Sequence, residues 1–360
     1  MDDTIDYEAE YNNSARVENS DELINQYIID AAVFREARTR NSELDLSYGS
    51  EDRNKIDIFW PKKKVDCPIV VFIHGGYWQR LDRSSFSHLA KGLNAKGVAV
   101  AMPSYTLCPD ISIAGIVNEM RRACVLLYQT YLRPLTVVGH SAGGHLAACM
   151  MATKWSEIHS ELPDDLVQSG MGISGIYDLL PLLQTPINDA LDLTSETAVT
   201  SSPIEWIPDG LHRFEAWVGG DESDEFHRQS RDLAARWGML GTPTNYVSVP
   251  GTNHFTVVNE LLNTSTPMLQ RLLEIIIDPV SEPDIPEPST RALARAKKQF
   301  KQEDDEAVKG FAVLEAERKA RESLSEDQPE QTTDNDDQET GSTEQVQSTD
   351  DVDDPYRLTT

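Results

Sequence analysis

Apolar positions along this chain switch between two periods, and the switches mark its elements. Ile24, Tyr27, Ile28, Ala31 and Phe34 recur at helical spacing, which predicts one or two helices over residues 20–41. Residues 44–48 and 55–60 then alternate apolar and polar side chains, as half-buried strands entering a sheet in antiparallel fashion do. Residues 69–73 form the first continuous apolar run and read as a buried strand. Beyond it, further strands are predicted at 97–102, 135–138, 170–174, 214–218 and 246–249. Helices are predicted at about 84–95 and 112–131, from Ser141 to about Trp155, and finally at about 256–276. Strands alternating with helices after a short antiparallel start predict an α/β fold, with a mostly parallel central sheet of about eight strands flanked by helices. Such sheets bind ligands at the carboxyl ends of their strands. The stretch 180–212, with Pro181, Pro186, Pro203 and Pro208, is the least regular part of the body and reads as a small cap over that edge.

After Pro288 the pattern changes. Residues 281–325 read as a linker and a charged helix capped by Ser289, with apolar positions too sparse for a sustained heptad. Residues 326–360 are mostly Asp, Glu, Gln, Ser and Thr, have almost nothing to bury, and are expected to be disordered. Residues 1–280 remain as one catalytic domain.

Charge narrows the partners. A net charge of -28 at pH 7 argues against nucleic acid or an anionic membrane surface, both of which select basic faces. From residue 281 onward, 22 acidic and 10 basic residues carry -12 of that charge, leaving -16 on the body. A small-molecule substrate is the expected ligand, while a homodimer and a protein partner for the acidic tail stay open. Residues 1–6 are acidic where a signal peptide needs a basic start, and no apolar run approaches the ~20 residues of a membrane helix. A cytoplasmic protein is therefore expected. Cys67, Cys108, Cys124 and Cys149 are scattered, with no C-x-x-C pair to suggest zinc or redox work.

The candidate chemistry follows the strands. Residues 137–145 (Val-Val-Gly-His-Ser-Ala-Gly-Gly-His) end a strand in G-x-S-x-G and then become helical. Such a turn forces Ser141 into a strained conformation that projects its Oγ above the sheet edge, while Gly139 and Gly143 leave room. The first helical N–H groups then point at whatever Ser141 attacks. His74-Gly75-Gly76-Tyr77-Trp78 directly follows the strand 69–73, the place where a glycine-rich loop gives backbone N–H groups to an oxyanion. Gly75 and Gly76 are the candidates there, and the N–H of Ala142 is the other donor.

The candidate base is His254, in the loop between the last strand and the final helix, because neutral imidazole can take and return the serine proton near neutral pH. His140 and His145 sit too close to the nucleophile in sequence to reach its Oγ in line, and are expected to orient or pack the turn. His88, His159, His212 and His227 lack chemical context. The acid is sought in Asp221-Glu222-Ser223-Asp224-Glu225, after the penultimate strand. Glu222 is favoured and Asp221 is the alternative, with Asp224 and Glu225 expected to serve the N-terminus of the next helix.

With these residues in view, the chain resembles the kynurenine formamidase (arylformamidase) branch of the α/β-hydrolases. His74 to Trp78 matches H-G-G-x-W, and Gly139 to His145 matches G-H-S-A-G-G-H. Glu222-Ser223-x-Glu225-Phe226-x-Arg228-Gln229-Ser230 and Asn253-His254-Phe255 resemble the segments bearing the acid and the base, and Tyr105 opens a Y-x-L-x-P loop. The resemblance implies the α/β-hydrolase fold and hydrolysis of N-formyl-L-kynurenine to L-kynurenine and formate in tryptophan catabolism, without metal or cofactor. It also implies a Ser141-His254-Glu222 triad working through an acyl-enzyme, with Tyr77, Trp78 and Tyr105 as walls for a flat aryl leaving group. A carboxylesterase for small acyl or aryl esters, with the same triad and a different pocket, is the alternative. A third reading makes the fold an interaction module whose tail recruits a basic partner, but an intact nucleophile, base and oxyanion loop argue against it.

Overall fold

Eight strands form one sheet in the computed structural model: β1 (Ser42–Ser47), β2 (Lys55–Phe59), β3 (Ile69–Ile73), β4 (Ala99–Pro103), β5 (Leu135–His140), β6 (Val167–Ile173), β7 (Arg213–Gly219) and β8 (Thr244–Val249). Their order is β1-β2-β4-β3-β5-β6-β7-β8. Only the β1–β2 and β2–β4 pairings are antiparallel, so the carboxyl ends of β3 to β8 share one edge. The structure describes residues 5–208 and 212–278. The expected charged helix at 281–325 and disordered tail at 326–360 lie outside the described residues.

The continuous apolar runs become central strands because helices cover both faces. Ile69, Val71 and Ile73 join a core cluster with residues of α5 (Ile113–Tyr131) and α6 (Ala142–Met151). Val70 and Phe72 point the other way, into a cluster with α4 (Ala90–Ala95) and α11 (Pro267–Ile277). The alternation in β2 misleads about exposure: Asp57, between Ile56 and Ile58, is fully buried. Its carboxylate is ion-paired with Arg35 and, at 3.1 Å, with Arg83, so the polar position is internal rather than solvated.

Several helices differ from their sequence expectation. The segment expected at about 84–95 begins as a 3-10 turn, Arg83–Leu89, before α4. The expected final helix is split into a 3-10 segment, Val257–Leu262, and α11, which restarts at Pro267 under a Thr266 cap. Proline has no N–H to continue a helix and disfavours helical geometry in the residue before it, so it opens one instead. The helix after Ser141 stops at Met151, and a separate short turn, α7 (Trp155–Ile158), follows.

Helix α3 (Ser20–Ala37) covers most of the 20–41 stretch. Two short helices that apolar periodicity did not indicate precede it: α1 (Tyr7–Tyr11) and α2 (Asn13–Arg16). Within 180–208 the chain makes only short pieces, including α8 (Asn188–Leu191) and α9 (Ser195–Thr200). Helix α10 (Asp224–Met239) buries Phe226, Leu233 and Trp237 beside β7 and β8. Among the described residues no helix is long and apolar enough to cross a membrane.

Candidate active site

Strand β5 ends at the centre of the sheet, and the chain turns there at Ser141 with φ 58° and ψ -122° before entering α6. The turn is closed by packing that only glycine permits. A Cβ on Gly139 would lie 1.8 Å from the Gly143 carbonyl oxygen, and one on Gly143 would lie 2.0 Å from that of Ile73. Ser141 N–H donates to the Ile173 carbonyl at 2.8 Å, which ties the turn to the end of β6. Its hydroxyl makes no hydrogen bond among the described residues, and the residue lines a cavity together with His254. The first N–H groups of α6, beginning with Ala142, have no partner within the helix.

Glu222 and His254 meet at the same edge. The turn after β7 puts a Glu222 carboxylate oxygen, Oε2, 2.7 Å from His254 Nδ1. The other oxygen accepts from the Gly219 N–H at 2.7 Å and from the Ser174 hydroxyl at 2.5 Å. Both oxygens are thus occupied and the side chain is fully enclosed. With Nδ1–H donating to the carboxylate, Nε2 of His254 is the free, basic nitrogen. Asp221, the alternative acid, is exposed, and its backbone N–H is spent on the Thr252 carbonyl at 2.9 Å. The Asn253 side chain accepts from the N–H groups of Phe255 and Thr256, each at 3.0 Å, and so shapes the loop that presents His254.

The other histidines sit in supporting positions. His140 Nε2–H donates to the His254 carbonyl at 2.8 Å, and burial together with the neighbouring His254 lowers its pKa to about 3. His145 donates to the Ser201 carbonyl at 2.7 Å, and burial lowers its pKa to about 4. Both are neutral in the folded protein and hold backbone in place.

The H-G-G loop brings Gly75 against Ser141: a Cβ on Gly75 would lie 2.9 Å from that of Ser141. Gly76 has φ 117°, and Tyr77 and Trp78 follow with φ 51° and 59°. Of the last two, Tyr77 borders the cavity beside Ser141, as do Ser141 itself and Leu81 (φ 71°), strain of the kind that collects at functional sites. The cavity beside Ser141 holds about 30 Å³ and is bordered by Gly75, Gly76 and Tyr77. A second cavity of about 440 Å³ shares Gly76 and Tyr77 with it and continues past Thr185, Pro186 and Ile187.

Two expected wall residues stand elsewhere. Trp78 is completely buried, edge-on to His145 at 5.0 Å between ring centroids. Tyr105 is also completely buried, with its ring stacked on His74 at 4.4 Å and its hydroxyl donating to the His74 carbonyl at 3.0 Å. They support the loop from behind, because an aromatic ring beside a tightly turned backbone is more favourably buried than exposed. Tyr77 alone of the three lines both cavities.

Glu225 does more than its expected role at the start of the next helix. It lies in the first turn of α10, but its carboxylate binds Arg228 at 2.7 and 2.8 Å and accepts from the buried Tyr11 hydroxyl at 2.8 Å. Burial pushes this carboxyl up, yet the hydrogen bonds from Arg228 and Tyr11 outweigh burial and hold it below its ordinary value. Glu225 therefore anchors α1 beside the site. Sequence reasoning missed Ser174 and the α1–α2 segment. Ser174 could have been suspected from its place after β6, at the edge where ligands bind.

Known proteins resemble this chain in sequence and in fold. The BD-FAE family profile matches residues 56–203. A kynurenine formamidase of Salmo salar is 34% identical over 242 residues, covering 65% of this chain and 81% of that one. A kynurenine formamidase of Drosophila melanogaster is 28% identical over 229 residues, covering 60% and 75%. The crystal structure of a provisionally assigned thioesterase from Silicibacter sp. is 33% identical with a TM-score of 0.67, covering 74% of this chain and 98% of that one. A glycine-framed serine on a parallel sheet and relatives of this extent identify the chain as a serine hydrolase belonging to the kynurenine formamidase family of α/β-hydrolases.

Proposed function

We propose that this enzyme hydrolyses N-formyl-L-kynurenine to formate and L-kynurenine, with Ser141, His254 and Glu222 as its triad. The observation that carries the reading is the contrast between the two cavities. The cavity beside Ser141, about 30 Å³, leaves little room there, which favours a small acyl group such as formyl. About 440 Å³ beyond it suits a substituted aryl leaving group.

In this reading His254 Nε2 takes the Ser141 proton as Oγ bonds to the formyl carbon. The resulting oxyanion is held by N–H groups of Gly75 or Gly76 and Ala142, each such donor being worth ~3–4 kcal/mol. The C–N bond then breaks, the aniline nitrogen receives the proton from His254, and a formyl ester remains on Ser141. Water, deprotonated by His254, attacks that ester; formate leaves and Ser141 regains its proton. Glu222 holds the imidazole tautomer and opposes the imidazolium charge at 2.7 Å. A cytoplasmic setting suits the free thiols of Cys67, Cys108, Cys124 and Cys149.

Purified enzyme is assayed on N-formyl-L-kynurenine and on p-nitrophenyl esters of increasing acyl length. Fast formamide turnover is expected, with ester turnover falling steeply beyond the formate ester. Negligible formamide turnover beside fast turnover of longer esters would make the enzyme a carboxylesterase. Full activity in Ser141→Ala would remove the mechanism altogether.

A further inference from the structure

We propose that the outer cavity is a subsite for an α-amino-acid group on the leaving side of the substrate, with Arg80 receiving the carboxylate and Glu8 the ammonium. The inference rests on the formamidase reading above and goes beyond it in naming what the outer cavity recognises. That cavity continues the one beside Ser141, sharing Asn13, Gly76, Tyr77 and Arg80 with it.

Most of its polar lining is already committed to the scaffold. The Tyr77 hydroxyl donates to the Tyr11 carbonyl at 2.5 Å and accepts from Asn13 Nδ2 at 3.3 Å. The Gln79 amide donates to the Ile187 carbonyl at 2.8 Å. Two opposite charges are left over. The Arg80 guanidinium makes no hydrogen bond or ion pair among the described residues, whereas Arg53 is held by the Tyr105 and Leu81 carbonyls and Arg83 by Asp45 and Asp57. The Glu8 carboxylate is likewise unengaged, while the nearby Glu10 accepts from the Glu225 N–H at 3.0 Å and pairs with Arg16 at 3.5 Å.

An uncommitted cation and anion in one cavity, beside an aromatic ring, match a zwitterion. The guanidinium fork suits a carboxylate in particular. The need for it is electrostatic, because a body this acidic repels an anionic ligand everywhere that a local cation is lacking. Arg80 and Glu8 are both exposed, so solvent tempers each contact, and the expected effects stand near the lower end for charged hydrogen bonds.

Three aryl formamides separate the contributions: N-formyl-L-kynurenine, its analogue without the carboxylate, and its analogue without carboxylate or ammonium. The full-length enzyme is expected to favour the first over the second in kcat/KM. Arg80→Ala should compress that preference roughly tenfold, mainly through KM, and Glu8→Gln should compress the preference for the second over the third by a few-fold. Equal losses on the first and second substrates in Arg80→Ala overturn the subsite. Calorimetry with L-kynurenine repeats the test without turnover: binding roughly tenfold weaker in Arg80→Ala supports the subsite, and unchanged binding overturns it. If none of the three formamides is hydrolysed, the formamidase reading fails, and the calorimetric result still decides the subsite.

Discussion

Replacing Glu222 by Gln probes the arrangement around His254, because the two carboxylate oxygens have different partners. Oε1 accepts two hydrogens, from Ser174 and Gly219, and Oε2 accepts one, from His254 Nδ1. An amide can satisfy only one side as the carboxylate does. If its oxygen stays on Ser174 and Gly219, its NH₂ faces His254 Nδ1, and the imidazole proton moves to Nε2. That nitrogen can then no longer take the Ser141 proton. If the amide turns over, the tautomer is kept, but NH₂ meets the Gly219 N–H and a buried donor is left unpaired at ~1–3 kcal/mol. The inactive orientation is therefore favoured by roughly 5- to 150-fold, at a factor of ten per 1.4 kcal/mol. Loss of the charge opposing the imidazolium adds to this, and the comparable Asp-to-Asn change in a serine protease triad lowers kcat by ~10⁴. A fall in kcat of roughly 10³ to 10⁴ is expected, measured on N-formyl-L-kynurenine, with melting temperature nearly unchanged because the amide is isosteric. A kcat within tenfold of wild type would refute the reasoning. So would an equal loss in Asp221→Asn, which would transfer the acid's role to the exposed neighbour.

Three further outcomes follow from the same structure. Ser174→Ala removes one charge-assisted hydrogen bond from Glu222 and should lower kcat roughly tenfold with little change in KM; steady-state kinetics indistinguishable from wild type would deny Ser174 a positioning role. Ser141→Gly should be as inactive as Ser141→Ala yet melt higher by about 2–4 °C or more, since it relieves ~1–3 kcal/mol of strain at φ 58°; equal or lower melting would refute that strain. Burial lowers the pKa of His74, His88 and His145 to about 4 and that of His140 to about 3. The unfolded chain therefore binds protons that the folded one refuses. Stability should be complete above pH 6.5 and fall as pH drops toward 4, by up to ~1.4 kcal/mol per pH unit for each histidine. Urea titrations that stay flat between about pH 6.5 and 4.5 would contradict it.

The sheet was legible because its strands are buried on both faces. Val70-Val71-Phe72-Ile73 and Leu135-Thr136-Val137-Val138 form continuous or nearly continuous apolar runs, and local pattern suffices to find such strands. Helix ends were less legible. Competition between helical and 3-10 hydrogen bonding at Arg83–Leu89 and Val257–Leu262 depends on what those turns pack against, and only Pro267 announces a restart in the sequence. The α1 and α2 segments carry too few apolar residues to show a period, since Tyr11 is held by hydrogen bonds to Glu225 and Gln229, more than 200 positions away.

By itself the sequence determined the alternation of strand and helix, the glycine-framed turn at Ser141, the H-G-G loop after β3 and the chain order of the candidate serine, acid and histidine. All of these depend on neighbours close in sequence and on residue types that only particular backbone geometries accept. Tertiary structure alone decided that Glu222 rather than Asp221 faces His254, that Ser174 completes the carboxylate's hydrogen bonds, and that Trp78 and Tyr105 lie behind the loop while Tyr77 faces the cavity. The physical reason is direction. Adjacent residues in a turn point to different sides by small changes in φ and ψ, and which side is buried is settled by segments that arrive from elsewhere in the chain.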